Sequence, residues 1–317
     1  MAVEENPEKQ NSEKQNSEKS GQSDETIKGS VFDIKRFALH DGPGTRVTAH
    51  LKGCPLSCRW CHNPEGISTK PHLLVRRDFC VKCGECVRVC RFARHCVACG
   101  ACVDVCPANA REVCGRSMTA GELVKAVLMD EPFFFSDDTS GRGGVTLSGG
   151  EPLLQPEFCM AVLRLLGQNG VHRAIDTSGH VPDTVLREAA LHCELFLYDL
   201  KHMDTDKHRE YTGVGNELVL SNLEMLSRIG SRVQIRVPFI PGLNSDEKNI
   251  SAVAGFAARL SGISGVRILP YHRAAADKHR RWGFNYRAAD VMEPTEQELR
   301  EAAGIFEKEG LAVAIGG

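Results

Sequence analysis

Cys54, Cys58 and Cys61 follow one another at the spacing C-x3-C-x2-C. Three thiolates so placed can hold three corners of a four-iron, four-sulfur cube. No fourth cysteine stands beside them in the sequence. One iron would then stay open to an outside ligand, which is the mark of catalytic rather than closed structural metal sites. The competing reading is a structural zinc completed by His62 or His50, although zinc prefers paired C-x2-4-C knuckles. Further on, Gly149-Gly150-Glu151 follows the run Val145-Thr146-Leu147-Ser148. Glycine at such a turn lets the backbone approach a ligand closely.

A second region holds eight cysteines in two matching halves. Cys80, Cys83, Cys86 and Cys90 are followed by Cys96, Cys99, Cys102 and Cys106-Pro107, a doubled C-x2-C-x2-C-x3-C. Bacterial two-cluster ferredoxins carry this run, and the fourth cysteine of each half ligates the other cluster. The expected sets are therefore Cys80, Cys83, Cys86 and Cys106 for one cluster, and Cys90, Cys96, Cys99 and Cys102 for the other. Zinc sites are the alternative. Cys90 is followed by Arg91 rather than proline, and five residues separate Cys90 from Cys96, so the insert should be compact. Cys114 is close enough in sequence to substitute as a ligand. The other reading makes it a buried thiol, as expected of Cys159 and Cys193.

The chain has 14 cysteines, 11 of them between Cys54 and Cys106. A cytosolic chain does not keep that many thiols for disulfides, so dense clustering argues for metal. Its 317 residues are 42% hydrophobic and 25% charged, enough for a sizeable core and against wholesale disorder. A net charge of −2 gives no electrostatic footprint for nucleic acid. There is no apolar run long enough to span a membrane. The start of the chain lacks a basic-then-apolar signal pattern, and the expected location is the cytoplasm.

Several elements must position these residues. Residues 1–28, with Glu-Lys-Gln-Asn-Ser twice in a row, are expected to form a disordered tail. Residues 29–69 supply strands near 30–37 and 45–51 and then the cysteine loop. Residues 70–118 form the cysteine-rich insert. From 119 to 317 strands and helices alternate, and Thr119-x-x-Glu122 has the form of a capping box. Six strand–helix units argue for a parallel sheet with helices outside, either open or an incomplete barrel. The barrel is favoured because unusual groups follow strand after strand: Ser148 to Glu151, Asp176 to Gly179, Asp199-Leu200-Lys201, Arg236-Val237-Pro238 and Pro270-Tyr271-His272. Barrel sites gather at the C-terminal ends of strands.

With these motifs the chain resembles the radical SAM superfamily. More narrowly it resembles the activating enzymes of glycyl radical enzymes. The resemblance rests on Asp41-Gly42-Pro43-Gly44-Thr45-Arg46, Trp60-Cys61-His62-Asn63-Pro64-Glu65, Ser148-Gly149-Gly150-Glu151-Pro152-Leu153, Asp176-Thr177-Ser178-Gly179, Asp199-Leu200-Lys201-His202-Met203-Asp204, Val237-Pro238 with Pro241-Gly242, and Leu269-Pro270-Tyr271-His272. These stand in family order from about residue 31 onward.

The resemblance implies an α/β fold, an incomplete (β/α)6 barrel with a ferredoxin-like two-cluster insert. It implies a [4Fe–4S] cluster on Cys54, Cys58 and Cys61 that binds S-adenosylmethionine (SAM). Reduction would yield a 5′-deoxyadenosyl radical that takes hydrogen from a backbone glycine of a partner glycyl radical enzyme. Trp60, Cys61 and His62 would border the adenine. Gly149, Gly150 and Glu151 would hold the methionyl group. Asp199, Leu200 and Lys201 would lie near the reaction centre, and His272 would touch the nucleoside. Asp176 and Asp199 match carboxylates placed near a monovalent cation in a relative. The insert marks the branch distinct from the pyruvate formate-lyase activator. It would relay electrons from a flavodoxin or ferredoxin. Two other functions compete: a radical SAM enzyme or maturase acting on a small molecule or peptide, and a plain electron carrier.

Overall fold

Period-two alternation decides the fold around the site. In four neighbouring stretches one residue is apolar and the next polar or small: Val145/Thr146, Ile175/Asp176, Tyr198/Asp199 and Ile235/Arg236. Successive strand side chains point to opposite faces. One face therefore becomes a hydrophobic layer for helices, and the other collects Ser148, Asp176, Asp199 and Arg236.

The computed structural model describes residues 23–92, 95–134 and 142–316. In chain order, β1 (Lys28–Ala38) and β2 (Arg46–Leu51) come first, followed by the cysteine loop. The insert comprises β3 (His72–Val75), α1 (Glu85–Arg88), α2 (Ala101–Asp104) and β4 (Arg111–Cys114). Then follow β5 (Arg116–Thr119), α3 (Ala120–Leu128), β6 (Gly144–Gly149), α4 (Pro156–Gln168), β7 (His172–Thr177), α5 (Asp183–Ala190) and β8 (Leu195–Asp199). The chain continues through α6 (Thr205–Thr212), α7 (Glu217–Arg228), β9 (Val233–Phe239) and α8 (Glu247–Ala258). It ends with β10 (Ile263–Pro270), α9 (Ala274–Trp282), α10 (Glu296–Lys308) and β11 (Val313–Ile315).

Nine strands form one sheet in the order β11-β10-β9-β8-β7-β6-β2-β1-β5. From β2 to β11 every neighbouring pair is parallel. Only β1 breaks the pattern, being antiparallel to both β2 and β5. The large, mostly parallel sheet is the expected α/β architecture. Leu123, Leu147, Phe158, Leu163, Phe196, Leu223, Val253 and Phe306 share the main core, which lies between the sheet and its helices. The capping box on α3 is present: Thr119 Oγ1 accepts from Glu122 N at 3.1 Å, and Glu122 Oε2 accepts from Thr119 N at 2.8 Å.

The structure moves two expected boundaries and adds two helices. Residues 1–22 of the expected tail lie outside the described residues, and the rest of it is ordered. Asp24–Thr26 forms a short turn whose Asp24 Oδ1 sits 2.6 Å from Arg164 Nη2 on α4, and β1 begins at Lys28. The insert closes earlier than residue 118, because β5 pairs with β1 in the main sheet. Two helices, α6 and α9, occupy stretches with no apolar stripe to announce them. No helix among the described residues is long and apolar enough to cross a membrane.

Candidate functional site

The cysteine loop and the Gly-Gly turn are bonded into one unit. Gly150 N donates to Leu51 O at 2.9 Å, and Glu151 N to Gly53 O at 2.7 Å. Gly53 N in turn donates to Gly66 O at 2.7 Å, and Cys54 N to Ile67 O at 3.0 Å. A side chain has no room here: a Cβ on Gly150 would come 2.2 Å from the Gly53 oxygen, and one on Gly149 would come 2.3 Å from Leu51 backbone atoms. Gly149 also has φ +122°, a conformation L side chains rarely adopt.

The loop is tied down from two further sides. On α6, Thr212 O accepts from Ser57 N at 2.7 Å and Tyr211 O from Arg59 N at 2.9 Å. On α9, the Lys278 ammonium donates to His62 O at 3.0 Å and Asn63 Oδ1 at 2.9 Å, and pairs with Glu65. The His279 ring nitrogen Nε2 bonds Cys61 O at 2.8 Å.

A cavity of about 470 Å³ opens beside this unit at the C-terminal ends of the parallel strands. Cys54, Cys58, Trp60, Cys61, His62, Gly149, Gly150, Asp176, Asp199, Lys201 and Arg236 all line it. All 14 cysteines are free thiols. Burial pushes the Cys54 and Cys61 thiols up to about 12 and also raises Cys58. Among the described residues, no three His, Cys, Asp or Glu side chains converge closely enough to hold a single metal ion.

The cavity floor is a charge network. Asp199 and Arg236 are register partners on β8 and β9. Lys201 Nζ lies 2.6 Å from Asp199 Oδ2. Arg236 Nη1 lies 3.3 Å from Asp176 Oδ1 and 3.9 Å from Asp41 Oδ1, and its Nε is 3.6 Å from Asp199 Oδ1. Ser148 Oγ donates to Asp176 Oδ2 at 2.7 Å. Burial raises Asp176 above the usual carboxylate range, with Arg236 opposing. Burial alone would lower Lys201, but Asp199 and Cys58 keep it above its ordinary value.

Three residues expected at the ligand point elsewhere. Glu151 is fully buried, and its carboxylate accepts from Thr177 Oγ1 (2.8 Å), Ser178 N (2.8 Å) and Ser178 Oγ (2.6 Å). It props the loop after β7 rather than facing the cavity. Leu200 is packed into the hydrophobic core. His272 is exposed, and the adjoining Tyr271 lines the cavity instead. Conversely, Arg236, Asp41 and Lys278 are cavity residues whose roles the sequence reading left unassigned. Alternation along β9 carries the signal for Arg236, since Ile235 and Val237 on either side are buried.

The insert repeats its backbone as it repeats its cysteines. Lys82 and Ala98 take left-handed φ values of 56° and 51°, and Gly84 and Gly100 take 83° and 85°. Each pair leads into a single-turn helix, α1 or α2. Arg111 lies beside both Cys86 and Cys102, and Ala110 N donates to Cys106 Sγ at 3.3 Å. Cys114 lies apart from this group, buried with its thiol 3.8 Å from Glu65 O. Cys159 is buried too, bonding Pro152 O at 2.9 Å, while Cys193 is partly buried against the core.

Comparison with known proteins agrees with this geometry. The model of the radical SAM superfamily matches residues 48–252. The choline trimethylamine-lyase activating enzyme of Oleidesulfovibrio alaskensis is 36% identical, over 91% of this chain and 98% of that one. The trans-4-hydroxy-L-proline dehydratase activating enzyme of Clostridioides difficile is also 36% identical, over 90% of this chain and 99% of its own. Among solved structures, Streptococcus suis SuiB bound to its precursor peptide SuiA shares the fold, with a TM-score of 0.55 at 13% identity. The match covers 87% of this chain and 49% of that one. The chain belongs to the radical SAM superfamily, among the activating enzymes of glycyl radical enzymes.

Proposed function

We propose that this chain activates a glycyl radical enzyme through SAM bound at the cavity described above. The observation that carries the proposal is convergence. Three free thiols, the Gly149–Gly150 turn and the Asp199–Lys201 pair line one cavity in a chain of this family. A [4Fe–4S] cluster and SAM come with the family, and the residues present suit them. Asp199 Oδ1 and Arg236 Nε and Nη1 face each other and Asp176 as ion pairs at the cavity but make no hydrogen bond, which leaves them hydrogen-bonding capacity for a charged ligand.

Cys54, Cys58 and Cys61 would hold the cluster. Gly149 and Gly150 bring main-chain atoms to the methionyl end, where a side chain would block them. Trp60 and His62 border the adenine side. Lys201 and Arg236 present positive charge, and Asp199 and Asp176 negative charge, to a ligand that carries both. A monovalent cation at Asp176 and Asp199 would share them with Arg236. When bound, the cluster supplies the electron that cleaves SAM to methionine and the 5′-deoxyadenosyl radical, which abstracts hydrogen from the partner's glycine.

The repeated backbone of the insert supports two further [4Fe–4S] clusters. Their ligands are Cys80, Cys83, Cys86 and Cys106 in one, and Cys90, Cys96, Cys99 and Cys102 in the other, with a flavodoxin or ferredoxin as donor. The division into a barrel before and after an inserted segment follows from the same reading, with the chain back in the main sheet from Arg116. Anaerobic reconstitution with iron and sulfide, then SAM and a low-potential reductant, tests the core claim. 5′-Deoxyadenosine should form, and the cluster's electron paramagnetic resonance (EPR) spectrum should change on adding SAM. Zinc at the first site, or spectra indifferent to SAM, would overturn it.

A further inference from the structure

Glycine has no side chain to recognise, so a protein that acts on one must read the main chain around it. The structure offers a place to do so beside the cavity. β1 pairs with β2 along Val31–Ala38, but on its other side β5 pairs only with Lys28–Val31. Past Val31, no strand among the described residues covers that edge. The N–H of Ile34 is bonded to its neighbour's carboxylate, Asp33 Oδ1, at 2.9 Å. It is therefore not spent on β2. In an antiparallel strand a residue sends its N–H and C=O to the same side, so Ile34 presents both to the open edge. The flanking residues Asp33 and Lys35 are exposed and line the cavity rim.

We propose that this open edge of β1 takes the glycine-bearing segment of the partner as an added strand. Main-chain pairing at Ile34 then lays the glycine across the cavity mouth. The proposal rests on the activating function above and names how its protein substrate is held. The occupant is an extended polypeptide, because a strand offers a carbonyl and an N–H to an edge residue together and repeats the pair along the edge. Exposed strand edges are usually blocked. Here the block is a single carboxylate, Asp33, covering a donor that an incoming carbonyl would take.

The test uses the reconstituted holoenzyme with SAM and a capped Arg-Val-Ala-Gly-Ala-Val peptide as probe. Hydrogen exchange should show peptide-dependent protection of residues 32–36 and none at β11, the far edge of the sheet. Methylating the peptide nitrogens on one alternate set should weaken binding about tenfold per lost bond, and on the other set should leave it unchanged. Asp33→Ala should tighten peptide binding, since the competing carboxylate is gone. The proposal is overturned by hydrogen transfer from the peptide's glycine without protection of residues 32–36. Equal loss from both methylation sets overturns it too, as does SAM cleavage with no peptide binding at millimolar concentration. Failure of the activating function looks different: no 5′-deoxyadenosine forms from SAM and reductant at all, and this proposal falls with it.

Discussion

The Lys201 ammonium lies 2.6 Å from the Asp199 carboxylate, and the same carboxylate faces Arg236 across the β8–β9 register. Both cations are buried, so Asp199 holds two charges that have little access to water. Asp199→Asn should cost about 3 kcal/mol or more, because stripping a partner from a buried charge is worse than never having the pair. Lys201→Met should be milder for folding but should weaken SAM binding at least tenfold. Chemical denaturation and titration of the SAM-dependent EPR change separate the two effects.

Gly150→Ala should not be tolerated. Its Cβ would meet backbone on both sides, the Gly53 oxygen at 2.2 Å and the Gly66 oxygen at 2.8 Å. Neither neighbour is a side chain that could swing away. The expected result is loss of the cluster loop's position, seen as reduced iron uptake at the first site and a loss of stability of about 3 kcal/mol.

The fold should weaken on mild acidification through His208. Its ring is fully buried, and Nδ1 bonds Val214 O at 2.7 Å. Burial lowers its pKa from 6.5 to about 4. The unfolded chain therefore binds a proton between those values that the folded chain refuses. Stability is complete above about pH 6.5 and is lost as pH falls toward 4. Between pH 7.5 and 5 the loss should be about 2 kcal/mol. Urea unfolding at the two values, with His208→Gln abolishing this part of the slope, checks it.

Cysteine substitutions should divide by region. Cys58→Ala should abolish SAM cleavage while leaving the insert's clusters spectroscopically intact. Cys83→Ala should slow reduction of the SAM-bound cluster by a protein donor, yet leave SAM binding and cleavage with a small strong reductant. A Cys83→Ala protein that no longer perturbs its EPR spectrum on adding SAM would contradict this assignment.

Much of the scaffold is legible from alternation and capping. β6 to β10 with α4, α5, α7 and α8 follow their apolar patterns, and Thr119 with Glu122 announces α3. What escapes are α6 and α9. In α6 the buried residues are His208, Tyr211 and Thr212, not an aliphatic stripe. α9 reads Ala-Ala-Ala-Asp-Lys-His-Arg-Arg-Trp and, among its described side chains, turns only Ala275 and His279 fully inward. Both earn their helical form from caps and from contact with the cysteine loop. At the site, the cysteines and glycines were readable because their chemistry is in their type and spacing. Glu151, Leu200 and His272 were not, because which way a strand-end side chain turns depends on where the pleat stops. Glu151 shows this best: one residue past the glycines, it belongs to the neighbouring loop.

Cys61 and His279 are separated by 218 residues, yet bonded. Ribosomes extend chains at roughly 5–20 residues per second, so Cys61 emerges roughly 10–45 seconds before the histidine that anchors it. Late in that interval the loop has its ties to the Gly150 turn and to α6 but not the one from α9. A chain cut between Cys106 and α9 would carry every cysteine of the three clusters and still lack this tie to the loop.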